Sequence, residues 1–138
     1  MDAKLKVKKF GLIGKDIGYS FSRNYFENKF SANEEFSNLT YENFDIDSIS
    51  KIQEIFKIDN LVGLNVTIPY KKEVIPYLDE LSDTAKIIGA VNTICFKNDI
   101  KIGHNTDVIG FKKALKNILN KKPKKALILG TGGSSRAI

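Results

Sequence analysis

Cysteine is almost absent from this chain. A single Cys95 in 138 residues excludes an intrachain disulfide and fits a reducing, cytoplasmic setting. It lies in the apolar run 90–96, where a small buried hydrophobe is expected rather than a nucleophile. Histidine is equally scarce. His104 stands alone, with no cluster of cysteine, histidine and acidic residues at ligand spacing, so no zinc site is expected and His104 reads as a loop residue. Long apolar runs are missing too: no stretch approaches the roughly 18 residues that mark a membrane-spanning helix. The lysine-bearing start, Met1–Lys6, is not followed by the apolar segment of a signal peptide. Internal repeats and low-complexity tracts are also lacking.

Charge is present, and mostly of one sign. The net charge of +6 comes from lysines gathered at Lys4–Lys9 and Lys112–Lys125. Such clusters could bind a polyanion. The alternative is a solvated N-terminus plus a basic helix end, where positive charge complements the helix dipole. The second reading is preferred, because the lysines are not interleaved with aromatics and no nucleic-acid-binding motif accompanies them. A milder consequence is attraction of an anionic small molecule.

Apolar and polar residues alternate with the periods of strand and helix in turn. Strands are expected over Lys6–Ile13, Asn38–Phe44, Leu61–Ile68, Val91–Phe96, Ile100–Gly103 and Ala126–Leu129. The fourth and fifth read as a hairpin turned at Asn98-Asp99. Helices are expected from Ser22, presenting Tyr25, Phe26 and Phe30, and from Asp47 or Ser48, presenting Ile49, Ile52, Ile55 and Phe56. Others are expected over Tyr70–Tyr77, over Asp83–Ile88 capped by Ser82, and from Thr106 to Leu119 with the stripe Phe111, Leu115, Ile118 and Leu119. This alternation predicts an α/β three-layer sandwich: a mostly parallel sheet with helices on both faces. The Lys/Pro segment 121–125 is the one domain boundary, dividing 1–120 from 121–138. The second part holds a short apolar strand and a glycine turn, the start of a Rossmann unit. The whole protein is therefore expected to be roughly twice as long, given typical domain sizes. The segment Ala126–Ile138, lacking its sheet neighbours, is expected to pack against another chain, so that the fragment self-associates through an unpaired strand, or else to be mobile.

Three stretches bear chemistry. In Gly63–Lys71 an apolar strand runs into a proline turn that aims Lys71, and Asp107 closes a second strand-end motif, Gly103–Asp107. A lysine so placed can pass a proton to or from an oxygen. A carboxylate partner favours the ammonium form of a lysine, which suits donation to a carbonyl undergoing reduction. The plainer reading makes these residues ordinary charges of helix first turns, and on residue types alone it is preferred. Ser20 and Ser22 offer two hydroxyls beside a helix N-terminus, suited to a carboxylate, but on residue types alone the plainer reading, Ser22 as a simple cap and Ser20 as a loop residue, is preferred. Asn92 and Thr93 lie in an apolar strand, so at least one must bond to backbone or face a ligand. Finally, Gly130–Ala137 follows the last strand as a dinucleotide-binding turn would. Gly130 would make the turn, Gly132 would admit a pyrophosphate, and Gly133, Ser134 and Ser135 would open the phosphate-binding helix. No Gly-Lys-Ser/Thr follows, so it is not a Walker A loop.

In this order the motifs Phe10-Gly11-Leu12-Ile13-Gly14, Tyr19-Ser20-Phe21-Ser22, Gly63–Lys71, Gly89-Ala90-Val91-Asn92-Thr93, Asn105-Thr106-Asp107 and Gly130–Ala137 resemble the shikimate dehydrogenase family over nearly the whole chain. The resemblance implies a shikimate-binding catalytic domain truncated just inside an NADP-binding domain. It implies reversible, NADP-dependent reduction of 3-dehydroshikimate to shikimate in the chorismate route to aromatic amino acids. Lys71 and Asp107 then correspond to the catalytic pair, and Ser20 and Ser22 to the hydroxyls that hold the substrate carboxylate. Asn65, Thr67 and Asn92 correspond to groups around the ring hydroxyls, and Gly130, Gly132 and Gly133 to the cofactor turn. Tyr19 and Arg23 depart from the histidine and proline usual in the family's first loop. The missing C-terminal half makes turnover by this chain alone unexpected. A quinate-accepting dehydrogenase and a non-catalytic substrate-binding module are the alternatives. Neither nucleic acid nor a membrane is expected as a partner.

Overall fold

A computed structural model describes residues 6–119 and 123–138. Lys4, Lys121 and Lys122 of the basic clusters, and the boundary expected at 120/121, lie outside these residues. Six strands form one sheet: β1 (Lys8–Gly14), β2 (Leu39–Asp45), β3 (Leu61–Val66), β4 (Glu80–Leu81), β5 (Thr93–Lys97) and β6 (Ile100–His104), in the order β2-β1-β3-β5-β6-β4. β1 pairs parallel with both β2 and β3, and β4 pairs parallel with β6. β5 is antiparallel to both its neighbours. Five strands thus share one direction and β5 alone opposes them, so the sheet is mixed and mostly parallel, as expected. The β5–β6 hairpin turns at Asn98 and Asp99, both with positive φ (49° and 63°). That is the backbone a two-residue hairpin with the right twist requires, achieved here without glycine.

Strand alternation sends β1 side chains to two different cores. Leu12 packs with Ile17, Tyr41, Phe10, Phe26 and Phe30 beneath α1 (Ser22–Ser31) on one face. Ile13 packs on the other face with Leu64, Val66, Ile94 and with Ile52 and Ile55 of α2 (Ile52–Ile55). This second core continues through Tyr70, Val74 and Ala85, the last from α3 (Asp83–Ile88). α1 therefore leads from β1 over one face to β2, whereas the chain leaving β3 crosses the other face. Loops that diverge to opposite faces open a crevice at the carboxyl ends of β1 and β3, where open α/β sheets bind ligands.

β1 and β2 pack tightly at Gly11. A Cβ there would lie 2.4 Å from the Phe44 ring and 2.6 Å from the Glu42 carbonyl oxygen of the neighbouring strand. The ring can turn aside but the strand backbone cannot, so Gly11→Ala is expected to destabilise the fold by about 1–3 kcal/mol, measured by urea denaturation.

Several expectations need correction. Tyr70–Tyr77 is not an α-helix: after the Ile68–Pro69 peptide, which is cis, come turns and one 3-10 turn, Ile75–Tyr77, with Pro76 inside it. Proline lacks the N–H that an α-helix would need there. β5 begins at Thr93 rather than Val91, because Val91 donates its N–H to Lys71 across the fold instead of to a strand. β4, two residues long, carried no periodicity to read. Tyr25 is exposed on α1, and α4 (Asp107–Ile118) buries none of its stripe fully, with Ile118 exposed. Cys95 is exposed rather than buried. Ile94 takes the core face of β5, so Cys95 turns to the other side, onto an open apolar groove of about 540 Å³ beyond α1.

The strand expected over Ala126–Leu129 does not form. Among the described residues no backbone pairs with it, and Leu127 and Leu129 are 84% and 87% exposed. A strand is defined by the ladder it joins, and apolar composition alone does not supply one. The glycine turn likewise opens not a full helix but one 3-10 turn, Ser135–Ala137.

Candidate active site

The β3 exit is pinned from several sides. Thr67 extends the β1–β3 ladder by donating its N–H to the Ile13 carbonyl at 2.9 Å, and Tyr70 N–H then donates to the Thr67 carbonyl at 2.9 Å. The Tyr70 ring is buried and its hydroxyl donates to the Ile46 carbonyl at 2.7 Å. That burial pushes the Tyr70 hydroxyl pKa up and keeps it a donor. The next residue is Lys71, whose carbonyl accepts from Val91 N–H at 2.7 Å. With its backbone held on both sides, the Lys71 side chain has a defined aim. Its ammonium donates to Asp107 Oδ2 at 2.7 Å and to Ser134 Oγ at 3.2 Å. Lys71 and Asp107 side chains are 13% and 32% exposed, so the pair faces solvent on one side only.

Asp107 is the first residue of α4, and Asn105 sets its position. Asn105 is buried; its amide donates to the Ala90 carbonyl at 3.0 Å, while its oxygen accepts the Asp107 N–H at 3.0 Å. The second carboxylate oxygen, Oδ1, accepts from Asn92 Nδ2 at 2.8 Å. Asn92 also donates to Thr106 Oγ1 (2.8 Å) and accepts from Thr106 N–H (2.9 Å) and Thr93 Oγ1 (3.1 Å). The sequence left open whether Asn92 or Thr93 bonds to backbone or faces a ligand. Here Asn92 ties the β5 entrance to the α4 start, and its backbone is bonded to both β3 and β6, through Val66 N–H and the His104 carbonyl. Each carboxylate oxygen of Asp107 thus has its own donor, one an ammonium and one an amide.

The serines sit at the neighbouring exit, that of β1. Both are partly buried, and Ser20 Oγ accepts the Ser22 N–H at 3.3 Å. Ser22 is the first residue of α1 rather than its cap; Phe21 occupies the cap position with no side-chain bond. Tyr19 is 75% exposed, and Arg23 donates to Glu27 at 2.7 Å within α1, so neither departure bonds to the serines. Asn65 points under α1, where its oxygen accepts the Tyr41 hydroxyl at 2.9 Å. Tyr41 stacks on Phe26 of α1 with centroids 4.5 Å apart, and burial drives its hydroxyl pKa up to about 12. Thr67 lies at the crevice beside Gly14, its methyl filling the space a Gly14 side chain would need.

The glycine turn lies against Lys71. A Cβ on Gly133 would come within 2.8 Å of Lys71 Cβ, so only glycine allows this approach. Gly130 has φ of 120°, a conformation that favours glycine, whereas Gly132 faces open space. With Ile68, Pro69 and Lys71 the turn lines a cleft of about 360 Å³, and Ser135 Oγ donates to the Gly132 carbonyl at 2.8 Å. Among the described residues no group of histidine, cysteine and acidic side chains gathers to hold a metal, and no helix is long and apolar enough to cross a membrane. Sequence reasoning missed four positions: Asn105 as the support of Asp107, Tyr41 as the partner of Asn65, Ser134 as a partner of Lys71, and Asp45, at the end of β2, as the acceptor of the Asp16 and Ile17 N–H groups. The first sits in a recognisable motif. The others act across 24 or more residues of chain.

Fold and site together define a class: an α/β lobe that gathers polar side chains at the carboxyl ends of its strands, beside a glycine turn. The chain belongs to the shikimate dehydrogenase substrate binding domain family, whose model matches residues 12–94. It is 42% identical over 136 residues to shikimate dehydrogenase (NADP(+)) of Methanococcus vannielii, covering 96% of this chain and 47% of that protein. Shikimate dehydrogenase 1 of Peptoclostridium difficile superposes with a TM-score of 0.86 at 38% identity, over 95% of this chain and 50% of that one. The Thermus thermophilus enzyme in complex with shikimate superposes with a TM-score of 0.79 at 33% identity, over 96% and 51%. The chain spans about half the length of the curated relatives it matches.

Proposed function

We propose that this chain is the shikimate-holding half of an NADP-dependent shikimate dehydrogenase, an oxidoreductase interconverting 3-dehydroshikimate and shikimate. Residues 1–120 form the substrate domain, and 121–138 the linker and opening turn of the cofactor domain. The observation that carries this reading is the Lys71–Asp107 contact at 2.7 Å, made where the chain leaves β3 and beside the glycine turn. Ser20 and Ser22 hold the substrate carboxylate at the α1 N-terminus. Thr67 receives a ring hydroxyl, while Asn92, its amide engaged with Thr106, Thr93 and Asp107, and Asn65, engaged with Tyr41, orient the groups around the ring. The free N–H of the Lys71 ammonium gives its proton to the carbonyl oxygen as that oxygen becomes an alcohol, and the deprotonated amine takes it back in the reverse direction. Asp107 keeps Nζ aimed at that oxygen.

The glycine turn fits a dinucleotide: it offers open space at Gly132 and a positive-φ turn at Gly130. Gly130, Gly132, Gly133, Ser134 and Ser135 would hold the NADP pyrophosphate. Bound NADP supplies the hydride chemistry. Because the chain spans about half of its relatives, we take it to be inactive alone. The test is an assay of the protein completed to its relatives' length. NADP-dependent oxidation of shikimate, with a higher kcat/KM than for quinate, supports the reading. Absence of turnover with both substrates, in a protein that binds NADP, overturns it.

A further inference from the structure

Asp45 ends β2 directly beside Gly14, the last residue of β1. Its carboxylate reaches over the β1 exit and takes two successive backbone donors: Asp16 N–H to Oδ1 at 2.9 Å and Ile17 N–H to Oδ2 at 3.1 Å. The residue so held, Asp16, has φ of 53°, a left-handed conformation that costs a residue with a Cβ. Such a turn persists when its surroundings over-determine it. Here the carboxylate acts from one side. From the other, Ile17 is buried against Leu12 and Tyr41. The Ile17 carbonyl then accepts Ser20 N–H at 2.9 Å, and Ser20 Oγ accepts Ser22 N–H at 3.3 Å. An unbroken series of hydrogen bonds therefore runs from the Asp45 carboxylate to both serines.

We infer that Asp45 is a positioning residue for substrate affinity: its carboxylate sets the loop that presents the Ser20 and Ser22 hydroxyls to the substrate carboxylate. The inference rests on the proposed role of those serines. Asp45 lies on β2, outside the serine loop, and spends both carboxylate oxygens on backbone N–H groups of that loop, so its influence falls on binding rather than on proton or hydride transfer. An asparagine at this position keeps one acceptor oxygen but turns an NH2 toward the second N–H, and so loses about half the clamp. An alanine loses all of it.

The experiment is steady-state kinetics on the full-length protein with shikimate and NADP. Asp45→Ala is expected to raise the shikimate KM about tenfold, the equivalent of one to two hydrogen bonds, with kcat within about twofold of the parent. Asp45→Asn should fall between. If Asp45 acts through the serines, Asp45→Ala combined with Ser20→Ala raises KM no further than the larger single effect. Strictly multiplicative effects, or a fall in kcat with KM unchanged, overturn the inference. If Ser20→Ala and Ser22→Ala raise KM but Asp45→Asn and Asp45→Ala do not, the clamp is wrong and the carboxylate site stands. If the serine variants leave KM unchanged, the carboxylate site and the clamp fall together. Should Asp45→Ala not fold, Asp45→Asn carries the same comparison, with amide exchange at Asp16 and Ile17 reporting whether the clamp has opened.

Discussion

Lys71→Ala in the full-length protein should lower kcat by about 10²–10⁴-fold, the usual range for removing a general acid, while shikimate KM changes little. The expectation follows from how little else Lys71 does. Its backbone is pinned by the Val91 N–H and by the turn that Tyr70 anchors, neither of which uses the side chain. Replacing it should therefore leave the β3 exit in place and remove only the ammonium. Of its three N–H groups, one goes to Asp107 and one to Ser134. Among the described residues the third has no partner, and the proposed mechanism gives it to the oxygen that gains or loses a proton. Steady-state kinetics in both directions check this: a kcat within a few-fold of the parent would show that another group transfers the proton.

The second large effect belongs to Asp107→Asn. The aspartate accepts two donors, one on each oxygen, at 2.7 and 2.8 Å. An amide has only one oxygen, so either the Lys71 ammonium or the Asn92 amide then faces a donor. Losing a charge-assisted hydrogen bond in a partly buried site costs about 1.5–3 kcal/mol, which in kcat/KM corresponds to about 10–10²-fold. On the proposal that Asp107 aims Lys71, the two substitutions should not add. The double variant is expected to be about as slow as Lys71→Ala alone, the behaviour of residues that work as a unit. Independent losses would separate Asp107 from Lys71.

Much of this arrangement can be read from local pattern, and the limits of that reading are physical. The alternation of β1 and β3, the apolar spacing of α2 and the Ser82 cap of α3 depend on neighbours within a turn or two. The Ser82 cap appears where the sequence places it, accepting the Ala85 N–H. By contrast, β1 runs Lys8–Gly14 rather than Lys6–Ile13, β3 stops at Val66 rather than Ile68, and the second helix opens as a 3-10 turn, Ile49–Lys51, before α2. Lys71, Asp107, Asn92 and Ser20 stand at strand ends, so strand boundaries and motif order together point to them. What could not be read is which face a strand residue meets, or what waits across the sheet. Cys95 looks like a core residue until Ile94 is seen to occupy the core. The segment Ala126–Leu129 has the composition of a buried strand and no ladder to join. Asp45 and Tyr41 sit in an ordinary stretch of β2, and their roles come from β1 and β3 lying beyond it in the sheet. Long-range registry is a property of the packed sheet, and no spacing along one strand encodes it.

The most direct measurement is a shikimate titration of the protein at its relatives' full length, followed by backbone amide and asparagine side-chain NMR shifts. The account predicts saturable shifts at Ser20, Ser22, Asn92 and Asp107, larger with shikimate than with quinate, and lost at the serines when the substrate carboxylate is replaced by an amide. Saturable binding that leaves these four residues unmoved, or no binding by a folded protein, would contradict it.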